Sequence, residues 1–179
     1  MRNTLYLLVG LIIVVGCLYL FWNAPAPSYV KPIEIVKSDY KKISYIIGGR
    51  SINLGDGILT YFGNEIKTDL NADGREDRVF LITQKIDTGV RYFIIGALDT
   101  TQGYIGLNGM MIGDNIAPQT TEMSREVGKE GQIIVNYAIR NPGEALSIQP
   151  SLGKSMWIKY DSKDMGFGEV VQNFEGESR

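Results

Sequence analysis

The chain has no histidine, and its single cysteine is Cys17. Without histidine there is no Ser-His-Asp or Cys-His nucleophile system of the usual kind. Histidine zinc sites are excluded as well, and one thiol cannot rebuild a zinc cluster. One cysteine also forms no internal disulfide, so a folded domain must rest on its core or on a bound ion. Charge of one sign is missing too: 18 Lys and Arg stand against 20 Asp and Glu, a net charge of -2. That balance carries no basic footprint for nucleic acid, and none is expected as a partner. Past the first residues the chain also lacks a sustained helical period and any internal repeat.

A long uncharged run is present, and it sets the expected address. Leu5–Trp22, "LYLLVGLIIVVGCLYLFW", would be roughly 27 Å long as a helix, enough to span a bilayer. Tyr19 and Trp22 suit an interfacial anchor. Three readings stay open. The leading one is an uncleaved signal-anchor over residues 1–23, with residues 5–22 in the membrane. The second is a lipoprotein, because "VVGC" ending at Cys17 resembles a lipobox, although "LYLFW" follows where a polar tether is expected. The third is a cleaved signal peptide, but the apolar core is long and Pro27 follows the only A-x-A site. Lys31, Lys37, Lys41 and Lys42 oppose export by a bare count. Long domains translocate largely regardless of charge, so a single-pass protein with an extracytoplasmic C-terminal domain is expected, periplasmic or at the cell surface.

Residues 24–37 read as a Pro-containing linker. Residues 38–175 read as one β domain, and 176–179 as a frayed tail. The strand signals are "ISYII" leading through Gly48-Gly49 into "RSINL", then "ILTYF", "RVFLITQ", "VRYFIIGAL", "QIIVNYAI", "SMWIKY" and "GEVVQNF". "KIDTG" between the fourth and fifth is a hairpin signal. "GYIGLNGMMIG" is apolar but broken by glycines, and "TEMSREVGKE" is the best helical candidate. The expected fold is all-β: a single antiparallel β-sandwich or small barrel, preceded by one N-terminal transmembrane helix.

The densest chemistry is "DLNADGRED", Asp69–Asp77. Calcium takes about six to eight hard oxygen ligands, and a calcium loop offers them at alternating positions with a Gly at the sharp turn. Asp69, Asn71 and Asp73 take the first, third and fifth places of such a loop. Gly74 takes the sixth, the Arg75 carbonyl the seventh and Asp77 the ninth. The twelfth place, a Glu in the EF-hand, is Phe80, and a strand follows instead of a helix. The alternative is a bare Asx-type turn, since Asn, Asp and Gly are the ordinary turn residues. In favour of the ion, three alternating aspartates repel without a cation. The expected ion is a structural Ca²⁺ bound weakly, with a dissociation constant on the order of 10⁻⁴–10⁻³ M. The nine residues resemble the D-x-N-x-D-G-x-x-D loops of dockerins, thrombospondin type 3 repeats and FG-GAP blades. In FG-GAP blades the loop also runs straight into an apolar strand.

Other constellations are weaker. Asp161 with Asp164, or Glu65 with Asp69, could be posed as a glycosidase-like carboxylate pair, but acidic residues near turns are usually solvated. Lys154 with Ser155 or Ser151 lacks the S-x-x-K frame of a Ser-Lys dyad. "GDNIAPQTTEM" (113–123) and "RNPGEALSIQPS" (140–151) read as connections that could hold a ligand.

From Tyr61 to Glu177 the segments "YFGNE", "DLNADGRED", "FLITQ", "GDNIAPQTTEM", "IVNYA", "NPGEA", "PSLGKS" and "GFGEVVQNFEGE" together resemble a family of small bacterial exported proteins. The chain departs at Asn115, Ile139 and Leu146, where that family tends to have Arg, Asp and Pro. Some members adjoin domains of the membrane-bound lysozyme-inhibitor kind. The resemblance therefore implies an envelope protein that is a binding or structural module and not an enzyme. Its implied partner is another envelope protein or a cell-wall enzyme such as lysozyme. A carboxylate-dependent hydrolase is the remaining alternative.

Overall fold

Two consecutive glycines make the turn of the first hairpin. Gly48 and Gly49 both hold positive φ, 58° and 76°, as a two-residue turn between twisted strands requires. They join β1 (Ser44–Ile47) to β2 (Arg50–Asn53) in an antiparallel hairpin. The structure, a computed structural model, describes residues 38–54 and 57–172. The apolar segment, Cys17, the linker and the tail lie outside the described residues. Among the described residues no helix is long and apolar enough to cross a membrane.

A central sheet follows. β3 (Leu59–Thr68), β4 (Asp77–Ile86) and β5 (Gly89–Thr100) form an antiparallel meander. The β4–β5 connection is the hairpin expected from "KIDTG". The outer edge of β5 is shared. β6 (Gly103–Gly106) pairs with its C-terminal part and β7 (Met110–Asp114) with its N-terminal part. "GYIGLNGMMIG" is therefore one interrupted strand. The hairpin docks at the interruption, where the Gly109 amide donates to the Ile46 carbonyl at 2.8 Å. Glycine is needed there: a Cβ on Gly106 would lie 2.1 Å from the Ser44 carbonyl oxygen.

A second antiparallel sheet holds β8 (Ala117–Met123), β9 (Gln132–Ile139), β10 (Leu152–Asp161) and β11 (Gly166–Glu169), in the order β11-β10-β9-β8. All sheets are antiparallel and none closes, so the barrel alternative is corrected. Three local expectations change too. The 113–123 segment is mostly strand, not loop. "TEMSREVGKE" ends β8 and enters a turn, with no helix. Among the described residues of "GEVVQNF", 168–172, only Gly168 and Glu169 lie in a strand.

The core has two parts, one on each face of the central sheet. Phe80, Ile82, Phe93, Ile95 and Ala97 face Tyr45 and Ile47 of the hairpin. Val79, Leu81 and Ile94 pack with Ile133, Val135 and Ile158 of the second sheet. "RVFLITQ" is thus more than a half-buried strand: Val79, Phe80, Leu81 and Ile82 have no exposed surface at all. An uninterrupted apolar run is what a strand covered on both sides requires. Burying the Phe80 ring places it against Tyr40, Tyr45 and Tyr61, with centroids 5.3–5.9 Å apart.

If the hairpin is seated as described, Gly106→Ala should push β1 off β6 and cost about 1–3 kcal/mol. Urea denaturation measures this, and a wild-type midpoint would refute the docking.

Candidate functional site

The Asp69–Asp77 segment turns between β3 and β4. Ala72 and Gly74 hold positive φ, 60° and 82°, and bend the chain tightly. That bend turns backbone amides inward. The Asp73 amide donates to both Asp69 Oδ1 and Asn71 Oδ1 at 3.1 Å, and the Gly74 amide donates to Asp69 Oδ2 at 2.8 Å. The side-chain oxygens of Asp69 and Asn71 are therefore gathered on the Asp73 amide. Asp73 in turn accepts from the Arg75 amide at 2.9 Å, from Asn71 Nδ2 at 3.1 Å and from the Arg75 guanidinium at 3.0 Å. The Arg75 amide, the Asn71 amide group and the Arg75 charge hold the Asp73 carboxyl below its usual range.

Asp77 has a different place. It is fully buried as the first residue of β4. Its carboxylate accepts the Leu70 amide at 2.9 Å and the Asp99 amide at 2.7 Å, so it ties the loop to the far end of β5. Burial pushes its carboxyl up, the two amides pull it down, and the charges of Asp73 and Asp69 push it up further. Arg75 Nε also reaches the Asp99 carbonyl, at 3.1 Å. The five residues expected as ligands thus lie in one loop, four at its surface and Asp77 beneath it. Among the described residues, no three acidic, His or Cys side chains form a ready metal centre. The donor set is all oxygen, as a hard cation wants. Carboxylate oxygens that accept an amide keep a second lone pair.

A second polar cluster adjoins the loop and was not legible in the sequence. β3 breaks register at Gly63 and Asn64, both at positive φ. Beyond the break, Glu65 Oε2 accepts from the Tyr40 hydroxyl at 2.7 Å and the Tyr61 hydroxyl at 2.8 Å. Arg78 stands 3.6 Å from the other oxygen. Burial raises the Glu65 carboxyl, and the two hydroxyls with Arg78 and Lys41 outweigh it, so the group is held low. Burial and Glu65 together push the Tyr61 hydroxyl up to about 12.

Three of the four posed carboxylates have other partners. Glu65 is committed to tyrosines and Asp69 to loop amides, while Asp161 Oδ1 accepts the Lys163 amide at 2.8 Å. Lys154 and Ser155 are successive strand residues and point to opposite faces, and Ser155 donates to Asn136 at 2.6 Å. The 113–123 and 140–151 segments do meet. Arg140 donates to the carbonyls of Asn115, Leu146 and Ile148. Asn115, at φ 52°, accepts the Val90 amide at 2.9 Å and donates to the Thr88 carbonyl at 3.1 Å. One arginine thus fixes a whole loop, a role that no spacing signals. Comparison with models of protein families, with curated proteins and with solved structures finds no match.

Removing Asp77 leaves two inward amides without an acceptor. Asp77→Ala should therefore cost about 3 kcal/mol or more in urea denaturation, and Asn71→Ala below about 1 kcal/mol. Equal losses would contradict the buried latch. For Glu65, the carboxyl is depressed in the folded state. Its contribution is present above the unfolded value, about 4.3, and disappears as pH falls through the folded value. Stability of the native protein should thus fall more steeply on acidification than that of Glu65→Gln. Parallel urea midpoints across that range would remove the argument.

Proposed function

We propose that the chain is an envelope protein held at a membrane by residues 5–22, with its β domain outside the cytoplasm as a non-enzymatic binding or structural module. Calcium bound by Asp69, Asn71, Asp73, Asp77 and the Arg75 carbonyl stiffens that domain. The observation that carries this reading is the arrangement of the loop. Asp69 and Asn71 converge on the Asp73 amide, and the same turn is latched through Asp77 to β4 and β5. An ion at the rim would relieve the repulsion among three aspartates and brace two central strands at once. The 18-residue-scale apolar run at the N-terminus supplies the address.

Arg75 now has a definite part. Its guanidinium sits on Asp73 as an internal cation, so calcium must displace it. Ligand that binds only the folded state stabilises by mass action, about 1.4 kcal/mol at roughly ten times its dissociation constant. Calorimetric melting of the full chain in detergent should therefore show a higher melting temperature in millimolar calcium than in EDTA. Asp73→Ala should abolish the rise, and Arg75→Ala should tighten calcium binding by several-fold. Superimposable curves with and without calcium would reject the ion and leave the loop an Asx turn.

A further inference from the structure

The break between β6 and β7 holds the one Asn-Gly step of the chain, Asn108-Gly109. Other segments are tied to these two residues. The Gly109 amide donates to the Ile46 carbonyl of β1 at 2.8 Å, and the Asn108 amide donates to the Met165 carbonyl at 2.7 Å. Asn108 Nδ2 donates to the Asp164 carbonyl at 2.5 Å. Met165 holds φ 47°, and its turn between β10 and β11 presents both carbonyls to the one asparagine. Asn108-Gly109 therefore joins the hairpin, the outer edge of the central sheet and the second sheet.

Packing fixes both residues. A Cβ on Gly109 would collide with Ile47 Cδ1 and lie 2.8 Å from Ile95 Cγ2, both in the apolar cluster beneath the hairpin. Position 108 needs a side-chain donor for the Asp164 carbonyl. The fold thus keeps a pair of residues that is chemically fragile. Asparagine is thermolabile, and a following glycine leaves the next amide nitrogen without a side chain to shield it. The reaction is an intramolecular substitution. The Gly109 nitrogen gives up its proton to hydroxide and attacks Asn108 Cγ. A C–N bond forms, Nδ2 takes a proton from water, the Cγ–Nδ2 bond breaks and ammonia leaves. Water then opens the cyclic imide at either carbonyl, giving aspartate or isoaspartate. Nothing is oxidised or reduced.

We propose that Asn108 is a deamidation site gated by the docking of the β1–β2 hairpin. An amide nitrogen is a poor nucleophile while it keeps its proton, because its lone pair is conjugated with the carbonyl. In the docked chain the Ile46 carbonyl holds that proton in place, and the Asp164 carbonyl holds the leaving nitrogen. Local opening of the hairpin releases the Gly109 nitrogen to hydroxide. The product does not close again in the same way. An aspartate has no proton to give the Asp164 carbonyl, so two oxygens face each other where a hydrogen bond stood. Isoaspartate also adds a methylene group to the main chain ahead of Gly109 and takes its amide out of register with Ile46. An opening is thereby made permanent, and the hairpin and the β10–β11 turn loosen together. None of these contacts involves Asp69–Asp77, so the site is independent of the calcium assignment.

The test incubates the full chain in mild detergent at mildly alkaline pH and follows Asn108 by peptide mass spectrometry, with isoaspartate methyltransferase labelling as a second readout. Conversion in the native chain should be at least about tenfold slower than in the same chain unfolded in urea. Gly106→Ala, which unseats β1, should speed conversion severalfold while the protein is still folded. In the wild type, urea below the unfolding transition should speed it too, which keeps the test decisive if Gly106→Ala does not fold. Asn108→Asp, the product itself, should lower the urea midpoint and speed hydrogen exchange at the Gly109 amide. Equal rates in the native and unfolded chains overturn the gate, as does an unchanged rate in folded Gly106→Ala or across the urea series. A wild-type midpoint and wild-type exchange in Asn108→Asp overturn the release of the hairpin.

Discussion

The double burial of β4 is the constraint on which the other features rest. An antiparallel sheet commonly leaves one face in water, and its strands then alternate apolar and polar residues. β4 instead buries four consecutive side chains completely. Both faces of its sheet must therefore be covered. The β1–β2 hairpin covers one and the second sheet covers the other, each with its own apolar cluster. The hairpin approaches closely only because glycines interrupt the outer strand, and the break between β6 and β7 receives it. Each removed CH₂ from such a core is worth about 0.8 kcal/mol, so the central strand concentrates much of the fold's stability.

Polar chemistry is consequently pushed to the ends and margins of the central sheet. Asp77 marks one such boundary. It is the one fully buried charged group of β4, two residues ahead of four buried apolar ones, and it survives burial because two amides converge on it. Glu65 solves the same problem with tyrosine hydroxyls and Arg78. Both arrangements use a carboxylate as a fastening between a loop or bulge and a neighbouring strand. The exposed aspartates of the loop are different in kind, because their geometry is set by the turn and not by packing.

Legibility in the sequence follows this division. The apolar strands and the Gly48-Gly49 turn were readable because side-chain type alone specifies them. β8 was not, because Pro118, Gln119, Thr120 and Glu122 sit on an edge strand with only a partial apolar period. The loop residues were readable as a set, since turn chemistry is local. The depth of Asp77 was not, because its burial depends on Asp99, distant in sequence. Glu65 reads as an ordinary surface acid until Tyr40 arrives from before the hairpin. Arg140 reads as any exposed base, and only the folded chain shows three carbonyls awaiting it. Trp157 was read simply as part of a strand, and its facing depends on register that one sequence does not encode locally.

The length of β5 has a further consequence. Asp99 near its end receives the Asp77 latch, and Val90 near its start holds Asn115 and, through it, the Arg140 loop. At about 3.4 Å per residue these attachments stand roughly 30 Å apart. Sites that far apart with no shared partners contribute additively to stability. The two ends of the domain are thus free to vary separately over generations, each with its own loop, with the same central strand beneath both.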